Sequence, residues 1–320
     1  MDSSVVNWVR ANTGKQTIID GICVGTVTLA DTGLLNGHKA TTNTNFFNTV
    51  ETRFPNVKWM HNVRYVDDGN IITSTNLASG IDATLHAVSR LVGHSVAQDV
   101  ARQIGYVHTS YLDNPNFKYP DFPLASVLEN AAFEWHQEKL GVLLYDGVSE
   151  MDLAGLLDPY TSSFAAKAYV FATKQGPITS RDGLILIPRY NFNTVNSLDR
   201  VVVPGGDMTS SQLQSVAAWN KLHPDRQAEA IDRNVGQGET AYDATIQDLA
   251  RTHNAMAASA IAQILFVPSM QLPPDANLPV EPIATPLLLG LLGIGLVFAI
   301  SRIRFRRHTP VRSSTLVHRG

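Results

Sequence analysis

The stretch IIDGICVGTVTLADTGLLNGHKATTN, residues 18–43, joins a β-branched run to an apolar helical pattern across the chain's one cysteine, Cys23. TIIDGICV reads as a short strand, and VTLADTGLL as a helix that stops near Gly33 and Asn36-Gly37. A cysteine on such a strand-to-helix turn has its sulfur at a helix N-terminus, where negative charge is favoured and the reactive thiolate is stabilised. The other reading of a lone cysteine is a small buried hydrophobe.

The chain around this stretch alternates in the same way. SVVNWVR reads as the end of an amphipathic helix, WMHNVRYV as a strand closed by the turn Asp67-Asp68-Gly69-Asn70, and NIITST as a further strand. SGIDATLHAVSRLVG carries Ile81, Leu85 and Val88 at helical spacing with Gly93 as its stop, and HSVAQDVARQIGY gives one more helix. After a Pro- and Asn-rich connector, KLGVLLYDG is an apolar run of the kind buried on both faces of a parallel sheet. MDLAGLLDPY reads as a short helix, AKAYVFAT as a strand, PITSRDGLILIP as a hairpin and LDRVVVPGG as a strand ending in glycines. Strands alternating with helices in this manner predict a doubly wound, mostly parallel α/β sheet.

The chain has 320 residues, 44% of them hydrophobic and 17% charged, which fits globular structure and excludes a disordered chain. A single cysteine excludes an internal disulfide framework. The net charge of −3 conceals an asymmetry, because six arginines (302, 304, 306, 307, 312 and 319) and no acid follow Ser301. Without them the 25 basic residues fall to 19, against 28 acids, so the body is too acidic for a broad nucleic-acid-binding face.

PIATPLLLGLLGIGLVFAIS, residues 282–301, has no charge and is long enough to cross a bilayer as a helix. The Pro-rich approach QLPPDANLPVEP and the flank RIRFRR support a single C-terminal span, with the arginines on the cytoplasmic side and the body on the outer side. An exported body needs a signal that MDSSVVNWVRANTGKQ does not supply, so either the body stays cytoplasmic against the charge rule or, as favoured, the natural start lies upstream of Met1.

GICVGTVTLADTGLLNGHKATTN resembles the ThiJ/PfpI family of the class I glutamine amidotransferase-like, flavodoxin-like fold, whose members typically read S-V-C-T-G-A, then A-G-L-L-D-G and T-T-H. RYVDDGNIITSTNLASGIDATLHAVSRLVG continues the resemblance, and residues 138–206 resemble the same family's front half. The order is inverted, since in the family the G-V-L-L-Y-D-G strand precedes the cysteine elbow. A circular permutant would account for this. The favoured alternative is a tandem chain whose first copy lacks its front half and whose second copy is degenerate and cysteine-free. The expected organisation is therefore 1–110 as the back half of a domain with the elbow, 111–137 as a connector and 138–270 as the second copy. A linker at 271–282, a transmembrane helix at 283–301 and a basic tail at 302–320 follow.

The resemblance implies Cys23 as a nucleophile, with oxyanion donors from the backbone of Val24 and of a glycine in the PGG turn, Gly206. It implies a carboxylate partner from the helix after G-V-L-L-Y-D-G, where Glu150 and Asp152 stand and Asp152 matches the family position. Val24 replaces the histidine that peptidase-like members carry after the cysteine, and Asn43 replaces the histidine of T-T-H. His38, His61 and His86 lack metal-ligand spacing, Asp67–Asn70 lacks a calcium-loop pattern, and Gly205-Gly206 lacks phosphate-loop spacing, so neither metal nor cofactor is expected. Whether the chain is an enzyme stays open. The favoured expectation is a membrane-anchored, non-catalytic ligand-sensing or interaction module, with a small-molecule ligand and a homodimer as its partners and no nucleic acid. The alternative is a cysteine-dependent hydrolase, hydratase or deglycase acting through Cys23.

Overall fold

The computed structural model describes residues 3–14, 16–119, 131–132, 137–195, 197–206, 209–231, 238–267 and 272–307. Most of the second half of the expected connector, part of the expected linker and the end of the basic tail lie outside these residues.

The first part contains α1 (Ser3–Asn12), β1 (Ile19–Ile22), α2 (Gly25–Thr32), β2 (Lys39–Ala40), α3 (Phe47–Arg53) and β3 (Lys58–Trp59). It continues with β4 (Tyr65–Asp68), β5 (Ile71–Ser74), α4 (Leu77–Val92) and α5 (His94–Ile104). Its main sheet has the order β1-β5-β4, with β1 parallel and β4 antiparallel to β5. The expected strand at 59–66 is split. Asn62 adopts φ 56°, and the segment after it crosses to bridge Val63 with Asn116 before β4 begins.

The second part contains β6 (Glu138–Leu144), α6 (Glu150–Ser162), β7 (Ala166–Ala172), β8 (Ile178–Thr179), β9 (Ile185–Leu186), β10 (Tyr190–Asn191) and β11 (Arg200–Pro204). After these come α7 (Ser210–Leu222), β12 (Ala228–Ile231), α8 (Ala241–Thr252), α9 (Ala255–Leu265) and α10 (Val280–Arg307). Its sheet is wholly parallel in the order β10-β7-β6-β11-β12. The alternation along β11 makes both faces core. Val202 points to Leu156, Ile246 and Ile261 on one side, while Val201 and Val203 point to Phe171 and Trp219 on the other. Each such side chain contributes about 1.5–3 kcal/mol by leaving water. The two sheets are separate, with β1 at the edge of one and β12 at the edge of the other.

Helices α8–α9 share a spacing with α4–α5. Asp82 and Asp243, Gly93 and Asn254, Ala101 and Ala262, and Gly105 and Phe266 are all separated by one constant interval of the chain. Hydrogen bonds repeat at that interval: Tyr106 N donates to Ala101 O at 2.8 Å, and Val267 N to Ala262 O at 3.0 Å. Both helix pairs end on a left-handed residue, Gly105 at φ 72° and Phe266 at φ 53°.

The end of α9 docks on the first part. Helix C-termini leave carbonyls without intrahelical partners. Here Asn76 Nδ2 donates to Ile264 O at 3.1 Å, and Arg64 Nη1 to Phe266 O at 2.9 Å. The Phe266 ring packs on Phe117 and Tyr119 at 5.2 and 5.3 Å. Arg64 is fully buried, paired with Asp82 and stacked over Tyr111 at 4.4 Å.

Within α10, Ile283–Arg302 has a mean hydropathy of 2.4 and none of its apolar window is buried in the protein. It is long and apolar enough to cross a membrane.

Candidate functional site

The site begins with two glycines. A Cβ on Gly21 would come 2.7 Å from Leu29 Cδ1, and one on Gly80 would come 2.7 Å from Ile22 Cγ2. Their absence lets α2 and α4 close on β1, which fixes the direction in which the strand emerges. Thr26 Oγ1 then donates to Gly21 O at 2.7 Å, tying the first turn of α2 back to the strand.

Cys23 N donates to Ser74 O at 3.0 Å, the last contact with β5. The backbone then turns through φ 54° at Cys23, a left-handed conformation costing a non-glycine residue about 1–3 kcal/mol. The turn is held because Cys23 O accepts from Thr26 N at 3.2 Å and from Thr42 Oγ1 at 3.0 Å. Val24, already helical at φ −65°, leads into α2. Cys23 is therefore on a strand–turn–helix elbow, half-buried, at the positive end of the α2 dipole. Ile22 and Val24, 39% and 38% exposed, form an apolar lip around it.

Asn43 faces the sulfur. Its Oδ1 accepts from Asn45 N at 3.1 Å, which turns Nδ2 toward Cys23 Sγ at 3.4 Å. An amide N–H can stabilise a thiolate, but an amide at neutral pH takes no proton from a thiol. The residue standing where the family carries an imidazole thus retains half of that group's chemistry.

The other residues expected at the site belong to the five-stranded sheet. Asp152 is buried in the first turn of α6, where its N–H donates to the capping Ser149 Oγ at 3.3 Å. Its carboxylate lies against the turn after β11, and a Cβ on Gly205 would come 2.8 Å from Oδ2. Gln212 Nε2 steadies that turn by donating to Gly205 O at 2.7 Å, and Gly206 follows. Glu150 accepts from Ser180 Oγ and, at 3.0 Å, from Asp182 N. Asp152, in α6, and Gly206, after β11, thus flank the five-stranded sheet, while Cys23 and Val24 follow β1 of the three-stranded sheet and Asn43 reaches the sulfur from the loop after β2.

The histidines are dispersed. His38 lies 3.2 Å from Asp68, His61 2.7 Å from Glu51 and His86 2.8 Å from Asp67. Among the described residues no cluster of His, Cys, Asp and Glu could hold a metal ion. Asp67–Asn70 is a turn with Gly69 at φ 77°.

One titratable residue near the elbow escaped the sequence reading. Among the described residues, Asp20, on β1, has only Thr84 Oγ1 as a side-chain partner, at 3.3 Å, and its Oδ1 is buried without one. Burial pushes its pKa from 3.8 up to about 6, with the Thr84 hydroxyl pulling weakly the other way. The visible signal was an acid inside the β-branched run IIDGI. A raised carboxyl binds its proton more tightly folded than unfolded, so this contribution is fully present below pH 3.8 and is lost as the pH rises to about 6. Asp20→Asn is expected to raise stability at pH 7 by about 1–2 kcal/mol, discounted for the carboxylate's contact with solvent. Denaturation curves at pH 4 and pH 7 check this, and equal wild-type and variant midpoints at pH 7 would refute it.

Residues 1–90 match the model of the DJ-1/PfpI family. An isonitrile hydratase from Pseudomonas putida is 30% identical over 132 residues, covering 41% of this chain and 54% of the hydratase, so the chain spans about half the length of that curated relative. Among solved structures, a ThiJ/PfpI family protein from Pseudomonas syringae is 18% identical with a TM-score of 0.34, covering 45% of this chain and 80% of its own. The oxidised DJ-1 of Toxoplasma gondii is 14% identical with a TM-score of 0.34, covering 40% and 98%.

Proposed function

We propose that this chain, whose residues 1–90 match the DJ-1/PfpI family model, is a membrane-anchored module for ligand sensing or interaction, built from one domain copy that lacks its front half and a second, degenerate copy. The observation that carries the non-catalytic reading is the contact at the sulfur. Asn43 can donate to Cys23, but it cannot act as the base that a catalytic thiol needs. The carboxylate that the family resemblance assigns to the site, Asp152, lies against Gly205 on the other sheet. The constant spacing of α4–α5 and α8–α9 supports the duplication, with residues 138–270 as the second copy. The exposed apolar window of α10 supports the anchor, with the arginines after Ser301 on the cytoplasmic side and the body on the outer side.

A second reading is favoured by the left-handed backbone at Cys23 and by the likeness to an isonitrile hydratase. In it, the Cys23 thiolate adds to the terminal carbon of an isonitrile, and a proton from solvent completes a thioimidate. Water then displaces the thiol to leave an N-substituted formamide. Turnover of a small isonitrile by the full chain in nanodiscs separates the readings. The module reading expects formamide release at the level of Cys23→Ala, and Cys23-dependent release would establish the enzyme.

A further inference from the structure

A groove of about 630 Å³ lies along β4, two strands from the elbow. That volume falls within the range of sites for small organic molecules. Its floor is apolar, made of Val63, Tyr65 and Leu112, which are 8%, 2% and 5% exposed. Its walls come from separate elements that are held in place. The Tyr65 hydroxyl donates to Leu112 O at 3.0 Å, and Arg64 N donates to Pro115 O at 2.7 Å, fixing the 112–115 wall against β4. On the other wall, Lys39 N donates to Asp68 Oδ2 at 2.7 Å, anchoring β2.

The charges lining the groove are balanced. Asp67 is occupied from both sides, by His86 Nε2 at 2.8 Å and Arg90 Nη1 at 2.7 Å. Lys39, on β2, and Asp113, after Leu112, also line the groove and bring opposite charges to it from separate elements. Asp113 also lies 3.1 Å from His94 and remains 72% exposed. A polyanion would meet two carboxylates here, and a polycation would meet Lys39 and Arg90.

We propose that this groove binds a small zwitterion with an apolar body, of the class of an apolar dipeptide. Its carboxylate pairs with Lys39 and the remaining N–H groups of Arg90. Its ammonium pairs with Asp113, and its side chains cover Met60, Leu112 and Pro115. The site is independent of the elbow and exists whether or not Cys23 reacts.

The test is calorimetric titration of the full chain in nanodiscs with leucyl-leucine, its N-acetyl form and its C-terminal amide. The zwitterion is expected to bind saturably, and each blocked form to bind about tenfold more weakly. Lys39→Gln should weaken the dipeptide but not the amide, and Asp113→Asn should weaken the dipeptide but not the N-acetyl form. Both residues are exposed, and circular dichroism checks that the variants fold. Absence of saturable binding up to about 10 mM would overturn the proposal. So would an N-acetyl form or an amide that binds as tightly as the dipeptide.

Discussion

Arg64→Met is expected to remove about 3–5 kcal/mol of stability, because it leaves a buried carboxylate without its cation. Arg64 and Asp82 are 0% and 2% exposed, so neither partner can turn to water. Burial drives the Asp82 carboxyl's pKa upward, and Arg64 and the Tyr106 hydroxyl, donating at 2.7 Å, act against that. Removing the guanidinium also takes the donor from Phe266 O and the cation from between Tyr111 and Phe117. The loss therefore falls on the docking of α9 as well as on the ion pair. Guanidinium unfolding of the full chain in nanodiscs measures it, and the double variant Arg64→Met/Asp82→Leu should recover much of the loss. A change below about 1 kcal/mol in the single variant would mean that the pair does not hold the two parts together.

Gly155→Val is expected to cost about 3 kcal/mol, at the upper end of what overpacking a core costs. Gly155 is where α6 meets the start of α8. A Cβ there would lie 2.5 Å from Ala241 Cβ, 2.8 Å from Ala241 C and 3.0 Å from Tyr242 N. Two of those atoms are backbone, so relief requires α8 to move as a body. That movement would pull Ile246 and Leu249 from the core they share with Leu156 and Tyr160. Thermal unfolding measures the loss, and Gly155→Ser should fall between wild type and Val. A Val variant as stable as wild type would mean that α6 and α8 are not in register as described.

Where one face or one turn decided the structure, the sequence was readable. KLGVLLYDG and LDRVVVPGG are central strands because their apolar runs leave no solvent face, and they pair with each other as β6 and β11. IIDGICVGT gave the elbow, since only a β-branched run ending at Gly21 lets α2 fold back so closely. The split of 59–66 could not be read, because it depends on Asn116 bridging Val63 from a distant connector. Asn43 as the sulfur's neighbour depends on a loop returning to the elbow through Thr42, a contact that no local pattern encodes. The common spacing of α4–α5 and α8–α9 was visible only as helical patterning. Identical residues such as Asp82-Ala83-Thr84 and Asp243-Ala244-Thr245 are few, and Phe266 stands at the position that Gly105 holds in the first pair. Docking explains that last difference, because the aromatic ring that α9 inserts between the two parts needs a side chain where α5 needs none.

Cys23 sits on a strand–turn–helix elbow where Asn43 donates to its sulfur and no described residue is placed to take its proton, while Asp152 lies in α6 against the five-stranded sheet. The most direct test of this arrangement is the rate of Cys23 alkylation by iodoacetamide against pH, in the folded full chain and in Asp152→Asn and Asn43→Ala. Asp152→Asn is expected to leave the profile where it is, while Asn43→Ala slows alkylation several-fold at pH 7 by removing a hydrogen bond to the thiolate. A profile displaced by Asp152→Asn and indifferent to Asn43→Ala would contradict it, and would mean that the two sheets assemble one working site.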